Sequence, residues 1–137
     1  MQFVDTNVFI RYLTKDDAQK AEACFHLFER AKRSEVVLTT SESVIAEVVY
    51  ILSSKNLYKL SRQDIRVRLY PIFSLSGFKF LNKQQILRAL DLYSLNNIDF
   101  EDAMSTAIME RRGIKEIFSY DEDFDHIKGS VIKRIEP

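Results

Sequence analysis

Short apolar, β-branched segments alternate with stretches of helical length along this chain, and that alternation limits the folds open to it. Residues 2–4, 36–39, 78–81, 117–120 and 131–135 read as strands. Residues 7–13, 17–32 and 41–54 read as helices, and a fourth opens at Ser61. A fifth covers 82–95, and a sixth is capped by Asp99 and ended by Gly113. A turn or short helix follows over 121–127. No Asn-Gly or Asp-Gly hairpin turn joins any two strands, so successive strands are connected through helices, as parallel sheets require. The predicted fold is an α/β sandwich with a mostly parallel sheet. In such sheets ligands sit beyond the carboxyl ends of the strands. The residues just after each strand are therefore the functional zone.

Local signals sharpen the boundaries. Ser61 with Asp64, and Asn82 with Gln85, have capping-box spacing. Pro71 is predicted to kink or end the fourth helix, because proline has no N–H to donate.

At 137 residues the chain is the size of one domain, 1–137. A chain of this length buries roughly two-thirds of the surface it exposes when unfolded. Cys24 is the single cysteine, which excludes an internal disulfide and fits a reducing compartment. The first residues have neither a basic start nor a long apolar core, so they read as the opening of the fold rather than a leader. The longest apolar run, 44–52, is interrupted by Glu47. No membrane span is expected, and a cytoplasmic location is. Net charge is zero, so composition gives no argument for a nucleic-acid partner. Only an uneven distribution, with acids in a cleft and bases around its rim, supports one.

Four acids hold particular addresses. Asp5 directly follows the 2–4 strand, with Thr6 and Asn7 beside it as hydrogen-bonding neighbours; a helix N-cap is the alternative role. Glu47 lies among Val44, Val48 and Ile51, at the edge of an apolar stripe. A carboxylate facing a core is costly unless paired or metal-bound. Asp102 stands in a first helical turn, opposite the face of Phe100, Ala103, Ala107 and Ile108, where the helix dipole alone would account for it. Asp121 is the first acid after the 117–120 strand, with Ser119 two residues earlier on the same side. Asp123 and Asp125 are close by, and charge alone does not choose among the three.

Asp5 and Asp121 thus share one topological address at the ends of parallel strands. Two carboxylates ~5 Å apart repel by ~3 kcal/mol at an effective dielectric of 20. A hard divalent cation offsets that repulsion and takes oxygen ligands. Carboxylates without histidine or cysteine argue against zinc; His26 and His126 are each isolated.

The segment Asp5-Thr6-Asn7-Val8-Phe9-Ile10-Arg11-Tyr12-Leu13 resembles the opening of PIN-domain proteins, notably VapC-like toxins. Glu47 within its apolar helix resembles their second acid, and Asp99-Phe100-Glu101-Asp102-Ala103 their third motif. Ser119-Tyr120-Asp121-Glu122-Asp123-Phe124 is similar to the last motif, with Ser119 where threonine is usual, which keeps the hydroxyl. The resemblance spans nearly the whole chain. It implies a three-layer α/β/α sandwich around a five-stranded, mostly parallel sheet, and Mg²⁺- or Mn²⁺-dependent endoribonuclease activity. It also implies the toxin role of a toxin–antitoxin pair, with an RNA substrate, a cognate antitoxin and a homodimer. By position Asp5, Glu47, Asp102 and Asp121 would be metal ligands. Thr6, Asn7 and Ser119 would support them or orient water, with Asp123 as a further supporting residue.

Arg11, Lys15, Arg111, Arg112 and Lys115 lie near these motifs and would grip RNA phosphates, or else form an ordinary solvated face. The apolar stretch around Val49, Tyr50 and Leu52, with the 57–73 region, is the expected partner surface. Two other readings are a catalytically inactive PIN-like interaction domain and a receiver-like signalling domain. The second lacks the acidic pair and central aspartate it needs.

Overall fold

A computed structural model describes residues 1–137. The chain is mixed α/β and mostly helical, and it divides into two compact units, Met1–Lys83 and Gln84–Pro137. No helix is long and apolar enough to cross a membrane.

The first unit contains β1 (Gln2–Phe3), α1 (Thr6–Thr14), α2 (Ala18–Lys32), β2 (Leu38–Thr39), α3 (Glu42–Ser53) and α4 (Arg62–Phe73). β1 and β2 pair in parallel, with Gln2 opposite Leu38 and Phe3 opposite Thr39. Buried Thr40 ties the end of this pair by donating to the Val4 carbonyl at 2.9 Å. The segment predicted as a strand over 78–81 contributes only a single parallel bridge, Phe78 to Leu38. On that side Leu38 N donates to Gly77 O at 2.7 Å and Lys79 N to Leu38 O at 2.8 Å. The Phe78 carbonyl accepts instead from Lys83 Nζ at 2.7 Å, so it is not free to carry the ladder outward.

The helices of this unit start where capping chemistry places them. Asp17 accepts from Lys20 N at 3.1 Å. Ser41 Oγ accepts from Val44 N at 3.2 Å, and Ser61 Oγ from Asp64 N at 3.1 Å. Pro71 does not stop α4, which continues to Phe73. Proline removes the bond to the carbonyl four residues earlier. That residue, Val67, is exposed, where water replaces the lost partner.

Phe9, Phe73 and Phe78 are fully buried, with Phe28 beside them. Phe9 stands 5.9 Å from Phe28, 5.8 Å from Phe73 and 5.9 Å from Phe78, centroid to centroid. Such ring pairs add about 0.5–1.5 kcal/mol each beyond area burial. This cluster fixes α1, and hence the residues at its start. Next to Phe78, Gly77 abuts the end of α2: a Cβ there would lie 2.4 Å from the carbonyl oxygens of both Ala31 and Val36.

The second unit contains α5 (Lys83–Leu95), α6 (Phe100–Arg111), β3 (Glu116–Phe118), a 3₁₀ helix (Glu122–Asp125) and β4 (Lys133–Ile135). β3 and β4 are parallel, with Ile117 opposite Arg134. The expected capping box of Asn82 and Gln85 does not form. Asn82 is left-handed, with φ of 60°, and its amide donates to Glu42 rather than accepting at the helix start. α6 ends in a Schellman pattern: Gly113 N donates to Glu110 O at 3.2 Å, and Ile114 N to Met109 O at 2.9 Å. The positive φ of Gly113, 69°, explains why glycine stands there. The buried face of α6 includes Phe100, Ala103 and Ala107, as periodicity predicts, whereas Ile108, expected with them, is only half-buried; Tyr93 is edge-on to Phe100 at 6.0 Å.

Every strand pairing found is parallel. The strands are shorter than predicted: β2 keeps two residues of 36–39, and β4 keeps three of 131–135.

Candidate metal centre

In the second unit Asp102, Asp121 and Asp123 gather. One carboxylate oxygen from each lies within 4.8 Å of the other two. Asp102 comes from the first turn of α6 and the other two from the segment after β3. The turn that presents them is built locally. Ser119 Oγ accepts from Asp121 N at 2.9 Å, and Asp121 Oδ1 accepts from Asp123 N at 2.9 Å. This Asx-type turn uses one of the Asp121 oxygens and aims successive acids to one side. Phe124, buried in the middle of the 3₁₀ helix, anchors it.

Asp102 is half-buried, not on the solvated face that helical periodicity assigns it. Its pKa is raised, first by burial and then by the charges of Asp121, Asp99, Asp123 and Glu101. Every electrostatic neighbour acting on it is therefore another acid. No Lys or Arg pairs with the three clustered carboxylates, whereas Asp125, the next acid in the chain, is held by Arg134 at 2.9 Å. Asp99 stands at the N-cap position of α6 but makes no capping hydrogen bond. The arrangement concentrates negative charge and leaves it uncompensated. An all-oxygen donor set of this kind suits a hard divalent cation. His26 lies 3.8 Å from Glu22 and edge-on to Phe25, and neither it nor His126 belongs to the cluster.

In the first unit the parallel pair brings the starts of α1 and α3 to one edge. Asp5 is exposed and occupies the N-cap position of α1 without capping it. That removes the capping alternative and leaves the carboxylate unused by the helix. Buried Thr6 donates through Oγ1 to Glu47 Oε2 at 2.8 Å. Glu47 itself is exposed, which corrects the expectation of a semi-buried carboxylate. It sits at the edge of the apolar stripe, so Val48 is buried while Glu47 reaches water. Its partner is the Thr6 hydroxyl and not a Lys or Arg. Asn7 is exposed.

The expected partner surface is corrected in part. Val49 and Leu52 are core residues, while Tyr50, Leu57 and Val67 are exposed. Tyr12 packs edge-on against Phe28 at 5.0 Å.

The PIN domain family profile matches residues 3–130. The chain is a PIN domain. It is also 31% identical over 124 residues to a VapC ribonuclease of Aquifex aeolicus, a match covering 90% of each chain. A crystal structure of Mycobacterium tuberculosis VapC20, a sarcin–ricin loop cleaving toxin, aligns over 96% of this chain and 98% of its own, at 20% identity and a TM-score of 0.37.

Two residues that organise this PIN domain escaped sequence reasoning. Asn96, buried near the end of α5, holds Lys128 from both sides: its amide donates to the Lys128 carbonyl at 3.2 Å, and its oxygen accepts from Lys128 N at 2.7 Å. Arg134 bonds the Ser119 carbonyl, Asp125 and Glu136. Their organising bonds, from Asn96 to Lys128 and from Arg134 to Ser119 and Asp125, join different segments of the chain and leave no local signal. Arg11, Lys15, Arg111 and Arg112 are exposed or half-exposed and form none of the ion pairs found.

Proposed function

We propose that this PIN domain is a metal-dependent endoribonuclease that hydrolyses RNA phosphodiester bonds, acting as the toxin of a type II toxin–antitoxin pair. The observation that carries the reading is the group formed by Asp102, Asp121 and Asp123, one oxygen of each within 4.8 Å of the others, with no Lys or Arg paired to them. A relative named as a VapC ribonuclease, alike over 90% of both chains, supports the same chemistry.

In this reading Asp102 and Asp121 hold Mg²⁺ or Mn²⁺ with Asp123 as a further ligand, and Asp5 and Glu47 are metal ligands by the family pattern. When bound, such an ion lowers the pKa of water and stabilises the leaving oxygen of a phosphodiester. The protein's own groups aim the carboxylates. Thr6 holds one oxygen of Glu47, and Ser119 holds the backbone of Asp121. Asn7 orients water. Arg11, Lys15, Arg111 and Arg112 grip RNA phosphates. Residues 1–137 work as one nuclease domain, with the paired strands contributing to a five-stranded sheet between helix layers. A cognate antitoxin blocks the site, the toxin acts as a homodimer, and its work is cytoplasmic.

The test is cleavage of a structured RNA by the purified chain, with Mn²⁺ and with EDTA, beside Asp102→Asn and Asp121→Asn. Metal-dependent cleavage lost in both variants supports the proposal. An inactive interaction domain would give no cleavage with any divalent ion while still binding its partner.

A further inference from the structure

The segment 119–125 carries Asp121 and Asp123 from β3 into the 3₁₀ helix. Its internal bonds are short-ranged, and of the acids on it only Asp125 is ion-paired. Arg134, on the neighbouring parallel strand β4, spans this segment. Its Nη1 donates to the Ser119 carbonyl at 3.1 Å. Its Nε and Nη2 reach Asp125 Oδ2 at 3.0 and 2.9 Å. Nη1 also meets Glu136 Oε1 at 2.8 Å, and the side chain is only 13% exposed. One guanidinium therefore touches the first and last residues of the stretch that presents two of the clustered acids.

We propose that Arg134 is a positioning residue for the acid cluster, closing residues 119–125 into a loop with both ends fixed, so that Asp121 and Asp123 stay within ligand distance of Asp102. The proposal rests on the reading of that cluster as a metal centre. A planar fork of fixed donors suits the task; a lysine, with one flexible ammonium, does not span both ends. The two effects of the guanidinium have opposite signs. As a nearby positive charge it repels a divalent cation, so losing it would tighten metal binding. As a clamp it lowers the ordering needed on binding, so losing it weakens metal binding. The sign of the change separates them.

The experiment uses the full chain with Arg134→Gln, Arg134→Lys and Asp125→Ala. Amide hydrogen exchange is followed over residues 120–124 in EDTA, and Mn²⁺ binding is followed by the paramagnetic resonance of free Mn²⁺. Both Arg134 variants are expected to exchange at least about tenfold faster over 120–124, with α5 and α6 unchanged. They are expected to bind Mn²⁺ about 10- to 100-fold more weakly, and Arg134→Lys gives no rescue although it keeps the charge. Unchanged exchange over 120–124 in Arg134→Gln overturns the proposal whether or not the metal reading stands. Mn²⁺ affinity that is unchanged or higher in Arg134→Gln also overturns it. Wild-type protein that binds no Mn²⁺ defeats the metal reading, and with it the role assigned to Arg134. If Arg134→Gln does not fold, the exposed change Asp125→Ala removes one end of the clamp, and unchanged exchange there overturns the proposal.

Discussion

Thr6 Oγ1 donates to Glu47 Oε2 at 2.8 Å, joining the first residue of α1 to the second turn of α3 across 41 positions of sequence. The bond ties a buried hydroxyl to an exposed carboxylate, so Glu47 is held in one orientation without being desolvated. Thr6→Val keeps the shape and removes the donor. We expect a loss of about 0.5–1.5 kcal/mol in stability and about tenfold weaker Mn²⁺ binding. Thermal melting with and without Mn²⁺ measures both, and a variant equal to wild type in each would show that the bond has no part in the site.

Asp102 carries the pH dependence. Its folded pKa is raised above the ordinary carboxylate value by burial and then by the surrounding acids. The folded state therefore holds this proton more tightly than the unfolded chain. Metal-free protein loses stability as pH rises from the ordinary carboxylate value through the raised one, and below that window the cost is absent. Asp102→Asn removes it. The variant should melt higher than wild type in EDTA at neutral pH, with the difference closing in acid, while RNase activity falls more than about 100-fold. A variant that melts lower than wild type at neutral pH would place Asp102 among ordinary stabilising groups.

Metal binding should show itself as stability. A ligand bound only by the folded state adds about 2.7 kcal/mol at 100 times its Kd. For a chain of this size that is a rise of several degrees in Tm. Millimolar Mg²⁺ added to EDTA-treated protein should produce it, and EDTA should abolish cleavage. No melting shift with either Mg²⁺ or Mn²⁺ would count against a metal centre.

Gly77→Ala tests the close packing of the segment before Phe78 against the end of α2. The added Cβ would fall 2.4 Å from two backbone carbonyl oxygens, which cannot move as a side chain does. A loss of about 1–3 kcal/mol or more is expected, read by chemical denaturation. An unchanged midpoint would mean that the backbone relaxes freely there.

Much of this was legible in the sequence where the cause is local. Asp17, Ser41 and Ser61 mark helix starts because their side chains bond amides three residues on. The parallel pairing followed from the absence of hairpin turns. Legibility failed where partners are distant. Asn82 has capping chemistry, yet its amide is drawn to Glu42 and its backbone turns left-handed. Glu47 was misjudged because a position at the edge of a helical stripe does not say whether the carboxylate turns inward. The burial of Asp102 was not legible because periodicity sees only its own helix, and the acids that surround it include two from the segment after β3. Arg134 gave no signal, since its role depends on strand pairing that brings it beside residues 119–125.

The most direct measurement is anomalous diffraction from a crystal soaked in Mn²⁺. The account predicts a peak bound by oxygens of Asp102 and Asp121, with Asp123 in reach, and its loss in Asp102→Asn. A soaked crystal with no peak among these carboxylates, or a peak bound elsewhere, would contradict it.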